Sequence, residues 1–218
     1  MIIEELKPND IDAVVNLGFK EFGAAFDCSL AEYKEWFTPF LYLVDNKRYF
    51  TSLLRLAHIF HTDSLGSTLH NAKPPTEIIR TLGDRFEELA KWLGSDYRTW
   101  VAREASTGDV TGYVQFNNFD QSFYQQSFDK RVMKPTDGYV QQIAVESKHR
   151  DTGTGTLLLE HSLEHASKQG YENVWAHLYG GETADSFRLF EKLGFKVFDI
   201  FPEHYINKVD GALVGLEL

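Results

Sequence analysis

The sequence predicts a single mixed α/β domain, and three observations carry that expectation. An amphipathic helix stands close to the start of the chain. A hairpin-linked run of short strands begins after Gly94. Beyond residue 154, helix and strand alternate twice before a last strand closes the chain. The 218 residues, 43% hydrophobic and 25% charged, have ordinary globular composition and enough length to bury a full core without staples.

Residues 2–6 alternate weakly and read as a short strand. Pro8-Asn9-Asp10 follows, with Asn9 or Asp10 placed to cap a helix. Ile11, Val14, Val15, Leu17, Gly18 and Phe22 then recur at helical spacing to about Gly23. The stretch from about 24 to 95 reads as a helical insertion rich in aromatics. Pro74-Pro75 precedes a helix over 76–93 with Ile78, Ile79, Leu82, Phe86, Leu89 and Leu93 on one broad face. Packing alone explains those aromatics, and so does a lid or acceptor pocket.

Thr99–Arg103 and Val110–Phe116 form a hairpin across the turn Ser106-Thr107-Gly108-Asp109. After a polar and aromatic loop over 117–138 comes a third strand, Tyr139–Val145. A helix over 154–169, strands over 173–179 and 196–201, a helix over 184–193 and a strand over 212–218 complete the order. Gly170 and Gly194 stand just past the two helices, where a left-handed cap is wanted.

Composition narrows the function. Net charge is −10, so the basic footprint of a nucleic-acid binder is missing. An acidic surface attracts a cationic amine, and it also serves solubility alone. The single cysteine, Cys28, allows no internal disulfide, which fits a reducing compartment. The first residues carry acids where a secretory signal carries bases. The longest apolar runs, such as Phe40–Val44, are too short for a bilayer. The expectation is a cytoplasmic protein with no membrane partner.

The chemistry concentrates in Arg150-Asp151-Thr152-Gly153-Thr154-Gly155-Thr156, between the third strand and the next helix. Glycines at 153 and 155 let a bulky anion approach the backbone. The helix start offers N–H groups with no partner inside the helix, and its dipole favours a phosphate. Lys148, His149 and Arg150 add positive charge, and the three threonines add hydroxyls. No Gly-Lys pair is present for a P-loop, and Leu158 stands where a Rossmann fingerprint needs its third glycine.

Arg150-x-x-Gly153-x-Gly155 is similar to the pyrophosphate-gripping motif of the GNAT superfamily of acyltransferases. Ile143-Ala144-Val145 resembles that family's central strand. Leu189-Phe190-Glu191-Lys192-Leu193-Gly194-Phe195 resembles its late Leu-Tyr-Glu-Lys-Leu-Gly-Phe signature. Order and spacing agree over about 99–200. The resemblance implies a twisted, largely antiparallel sheet with a splayed central strand pair and helices on both faces. It implies acetyl-CoA as donor, with no metal, and a small-molecule or peptide amine as acceptor. Residues 150–156 would hold the pyrophosphate. Ile143, Ala144 and Val145 would hold the pantetheine arm through backbone groups, as an added strand would. A homodimer is an open option.

The resemblance also departs in places. Phe190 stands where many relatives carry a Tyr general acid, and a phenyl ring gives no proton. Thr183 replaces a frequent Asn and reads equally as a helix N-cap. Ser186 stands where Ala is common. Tyr179, Tyr205 and His204 lie near the ends of late strands. Strand alternation puts Tyr139, Gln141 and Ile143 on one face, with Gln141 toward the substrate and no carboxylate. His177, mid-strand, is a candidate base acting through a water, beside the readings of a satisfied buried histidine and of no base at all. His177, Tyr139 and Tyr205 are thus the catalytic candidates, each with a structural reading beside it.

Two alternatives stand. Phe190 and the missing carboxylate suit a non-catalytic acyl-CoA sensor. His161-Ser162-Leu163-Glu164-His165 matches the inverted zinc-hydrolase pattern. An apolar stripe of Thr156, Leu159, Leu163 and Ala166, however, places His161 and His165 on the opposite, solvated side of the helix.

Overall fold

A computed structural model describes residues 1–26, 28–34, 96, 98–118, 134, 136–180, 185–204 and 208–218. Most of the insertion expected at about 24–95, including the helix over 76–93, lies outside the described residues. In chain order the elements are β1 (Ile2–Glu5), α1 (Ile11–Phe26), β2 (Arg98–Arg103), β3 (Val110–Asn117), β4 (Asp137–Val145), α2 (Thr154–Gln169), β5 (Asn173–Tyr179), α3 (Asp185–Lys192), β6 (Lys196–Phe201) and β7 (Gly211–Glu217). The seven strands form one sheet, ordered β1-β2-β3-β4-β5-β7-β6. Every pairing is antiparallel except β4 with β5.

Of the described helices, α1 lies on one face of the sheet and α2 and α3 on the other. On the first face α1 lies over β3 and β4, burying Ile11, Val14, Val15 and Leu17 as its periodicity predicts. Asp10 stands at the helix start, but its carboxylate turns back. It accepts the Lys7 N–H at 2.9 Å and pairs with Arg103, which also pairs with Glu4, so the corner joins β1, α1 and β2. A helical turn at residues 30–34 follows, started by Ser29 and Glu32. The Ser29 N–H donates to the Glu32 carboxylate at 2.7 Å, and the Glu32 N–H returns to Ser29 Oγ at 3.3 Å. This reciprocal cap is written plainly as Ser-x-x-Glu.

On the second face α2 and α3 pack on the apolar sides of β2–β5. Leu158, Leu159, Ala166 and Phe190 meet Trp100, Ala102, Val114, Phe116, Val140, Val174 and Ala176 there. The buried stripe of α2 is Leu158, Leu159, Ser162 and Ala166. Leu158 is the residue that rotates this stripe from the expected one, and the rotation carries the two histidines inward. His161 packs edge-on against Trp100 at 5.1 Å between ring centroids. His165 bonds Asp96 at 2.7 Å and packs on Trp100 and Phe116. The solvated back expected for these histidines is therefore corrected. Glu164 instead lies on the exposed side, bonded to Lys168 at 2.6 Å. Among the described residues no group of three or more His, Cys, Asp or Glu is placed to hold a metal ion. No helix among them is long and apolar enough to cross a membrane.

Two features of β4 set up the site. Its parallel pairing with β5 runs only from Asp137 opposite Asn173 to Val140 opposite Ala176, although β4 continues to Val145 and β5 to Tyr179. The two strands part after that point and leave a gap in the sheet. At the same place β4 bulges. Gln115 pairs with Gln142 and Phe116 with Val140, so Gln141 has no opposite number.

Candidate active site

The bulge changes which side chains share a face. Val140 and Ile143 both face the α2 side, against the same apolar cluster. Tyr139 and Gln142 therefore face α1. The expectation that Tyr139, Gln141 and Ile143 share a face is corrected, because one extra residue shifts a period-two pattern by half a cycle.

The backbone of β4 beyond the bulge is offered to the gap. The Glu146 N–H donates to Thr111 O on β3 at 2.8 Å. Backbone groups alternate sides along a strand, so those of Ile143 and Val145 point the other way, toward the gap. The Val145 carbonyl there accepts from Arg150 Nε at 3.2 Å.

At the end of β4, a 3-10 turn (Ser147–His149) leads into the loop. Asp151 at φ 59° and Gly153 at φ 87° alternate with ordinary residues, an arrangement that turns successive amides toward one side. Gly153 is the N-cap of α2. The amides of residues 151–156 donate to no backbone carbonyl among the described residues. The threonine hydroxyls shape the loop: Thr152 Oγ1 donates to His149 O at 2.7 Å and meets buried Thr154 Oγ1 at 3.0 Å. Thr156 is half-buried in the first turn.

The two glycines have different roles. A Cβ on Gly153 would meet nothing within 4 Å, so its positive φ is what requires glycine. A Cβ on Gly155 would stand 3.2 Å from Leu189 Cδ2 and 3.6 Å from Val145 Cγ2. Gly155 lets α2 approach α3 and β4, whereas the sequence suggested only room for an anion. The basic residues are already engaged: Lys148 pairs with Glu146 at 3.2 Å, and Arg150 pairs with Glu21 of α1. Glu21 carries no motif that could have flagged it.

Tyr139 and His177 come together on the α1 side, where β4 and β5 part. Burial holds the Tyr139 hydroxyl well above the ordinary tyrosine range, and the backbone of His177 bonds it. Burial, and then the neighbouring His204, push His177 down to about 3. The imidazole packs edge-on against His204 at 4.6 Å and Phe201 at 5.3 Å. Gly211 lies against both imidazoles, where a Cβ would stand 2.8 Å from His177 Nε2 and 3.2 Å from His204 Cδ2. His177 is half-buried as a residue, but its Nε2 is shielded from solvent.

The remaining candidates are scattered. Gln141 occupies the bulge, half-buried. Tyr179 ends β5. Ser186 lies half-buried in the first turn of α3. Phe190 is 1% exposed and stacks edge-on with Phe195 at 4.9 Å, inside the core beneath α3. Thr183 and Tyr205 lie outside the described residues.

Two comparisons agree with this geometry. The chain matches the acetyltransferase (GNAT) family over residues 65–195, a span that starts inside the stretch read as an insertion. No curated protein matches its sequence. Among solved structures, a GCN5-related N-acetyltransferase from Kribbella flavida aligns with a TM-score of 0.55 at 15% identity, over 100% of this chain and 97% of that one. A ribosomal-protein-alanine N-acetyltransferase from Brucella melitensis aligns at 0.53 and 14%, over 100% of both chains. An N-acetyltransferase from Staphylococcus aureus aligns at 0.53 and 16%, over 99% and 97%. At these identities the structures show a shared fold.

Proposed function

The chain belongs to the GNAT acetyltransferase family, and from that premise we propose that it moves the acetyl group of acetyl-CoA directly to a primary amine of a small molecule or peptide. The observation that carries this reading is the gap beyond Val140 and Ala176, opening beside a helix start whose amides donate to no backbone carbonyl among the described residues. A donor with an anionic head and an amide-bearing arm suits both features. Acetyl-CoA, when bound, supplies the activated acyl group.

In this proposal the amides of 151–156 and the Arg150 guanidinium hold the pyrophosphate, and Arg150 exchanges Glu21 for it. Backbone groups of Ile143 and Val145 pair with the arm along the open edge of β4, which leaves the thioester near the bulge at Gln141. The amine nitrogen bonds to the acetyl carbon, the carbon–sulfur bond breaks, the amine sheds a proton and the sulfur gains one. Neither His177 nor Tyr139 titrates in the working range, because burial holds one neutral and the other protonated. Phe190 carries no proton to give. The rate therefore rests on positioning a neutral amine against the thioester, where proximity supplies much of the barrier reduction.

Titration calorimetry with acetyl-CoA and a thiol-release assay over an amine panel test the reading together. Saturable binding with release of one thiol per amine acetylated is expected. Absence of binding removes the donor; binding without turnover on every amine removes the catalysis.

A further inference from the structure

In the free protein the Arg150 side chain occupies part of the site proposed for the donor. The Val145 carbonyl points into the gap between β4 and β5, and Arg150 Nε stands 3.2 Å from it. The guanidinium is therefore lodged at the mouth of the gap, on the strand edge with which the donor's arm would pair. Its Nη2 pairs with the Glu21 carboxylate of α1. Among the described residues, no other hydrogen bond or ion pair links α1 to residues 147–156.

The two halves of this contact depend on each other. A carbonyl can accept twice, so the bond from Nε alone would not exclude the arm. An untethered arginine has many rotamers and would leave the carbonyl readily. Glu21 holds the guanidinium there by charge. The Arg150 side chain is 40% exposed and that of Glu21 20%, so solvent screens this pair less than it screens Lys148, 64% exposed, beside Glu146. A diphosphate carries the charge needed to draw the guanidinium away from Glu21, and its oxygens suit a planar, two-pronged donor. A thioester without a diphosphate has nothing to draw it with.

We infer that Arg150 and Glu21 form an autoinhibitory latch on the donor cleft, opened by the donor's diphosphate, which selects nucleotide-bearing CoA thioesters over thioesters carrying the pantetheine arm alone. The inference rests on the transferase reading above and adds a selection step to that same site. Glu21 acts through Arg150 and is a positioning residue. Arg150 has opposite effects on the two kinds of donor. It holds the one that can pull it from Val145, and it obstructs the one that cannot.

The test measures two donors on the unsubstituted protein, Glu21→Gln and Arg150→Ala. Acetyl-CoA is titrated by calorimetry. Acetyl-pantetheine, which is uncharged and lacks the diphosphate, is followed by ligand-detected NMR. Glu21→Gln loosens the latch and should bind both donors about 2- to 5-fold more tightly, the usual contribution of one partly screened ion pair. Arg150→Ala should cross over, binding acetyl-CoA at least about tenfold more weakly and acetyl-pantetheine about 2- to 5-fold more tightly. Both side chains reach solvent, so Tm should stay within about 3 °C of the unsubstituted protein. If Arg150→Ala does not fold, Glu21→Gln decides alone. A gain confined to acetyl-CoA in Glu21→Gln means that Glu21 only repels the diphosphate, and it overturns the latch. So does acetyl-pantetheine binding that neither variant improves. An unsubstituted protein that binds neither donor removes the transferase reading and the latch together; one that binds acetyl-CoA while the variants miss these shifts removes the latch alone.

Discussion

Replacing Gly153 by alanine separates the two glycines of the loop. Gly153 holds φ 87° and ψ −1°, where an L-residue costs about 1–2 kcal/mol. A Cβ there would meet nothing within 4 Å, so no clash adds to that strain and no contact pins the strained form. The loop is expected to relax toward negative φ and to turn at least one amide of 151–156 from the pyrophosphate. Losing one charge-assisted hydrogen bond, about 1.5–3 kcal/mol, raises the Kd for acetyl-CoA by about 10- to 150-fold. The Tm should fall by about 2–8 °C. Gly155→Ala should do the opposite. Its Cβ, 3.2 Å from Leu189 Cδ2, overpacks the α2–α3 contact and costs about 1–3 kcal/mol of stability. Affinity should be largely retained, and Leu189→Ala should restore part of the Tm loss as a coupled pair. Calorimetry and thermal melts on the four proteins decide. Native affinity in Gly153→Ala, or an equal affinity loss in Gly155→Ala that Leu189→Ala leaves unchanged, refutes the division of roles.

Further expectations follow from the same geometry. His177 has a depressed folded pKa, so its contribution to stability is intact above the unfolded value of 6.5 and is lost as pH falls toward about 3, with a slope of at most about 1.4 kcal/mol per pH unit; His177→Gln should flatten the denaturant midpoint across that window. Because neither His177 nor Tyr139 titrates, kcat/KM should rise with pH to the pKa of the amine itself. An inflection fixed near 6–7 across amines of different pKa would contradict this. Asp96 is buried, which raises its pKa, but bonds from His165, Arg98 and Tyr171 outweigh burial and lower it overall. Its contribution is therefore full above the unfolded value of 3.8 and is lost as pH falls through the lower folded value; Asp96→Asn should cost about 1–3 kcal/mol at neutral pH and show a shallower acid limb in urea titrations. Phe190→Tyr should destabilise by about 1–3 kcal/mol, because its hydroxyl enters an apolar core, and should leave kcat unimproved; a clear rise in kcat would show that the acid step was limiting.

The chain wrote most of its elements locally. Strands 173–179 and 196–201 have the bounds that sequence pattern predicts, and Gly170 and Gly194 adopt the positive φ expected of helix ends. The phosphate-binding reading of 150–156 was equally local, because strand, glycine and helix start follow one another within a few residues. The acyl donor was not local: it rested on the matches at 143–145 and 189–195 flanking the loop.

What the tertiary structure alone decided concerns faces and neighbours. β3 alternates Thr111, Tyr113, Gln115 and Asn117 with Gly112, Val114 and Phe116, which by pattern is a strand with one wet face; α1 and the turn carrying Tyr33 bury that polar face. The bulge at Gln141 exists only in the pairing with β3, so alternation along β4 alone misplaced Tyr139 against Ile143. Leu158, fully buried beside Leu159, turned His161 and His165 inward against Trp100, and Asp96 then met His165 across 69 residues of chain. The sequence by itself determined most of the described elements, their order and the glycine-bearing start of α2, because backbone propensity and periodicity act over a few residues. Strand register, helix rotation and the partners of buried polar groups were decided only when distant segments packed, because each depends on the shape of a surface that no single segment carries.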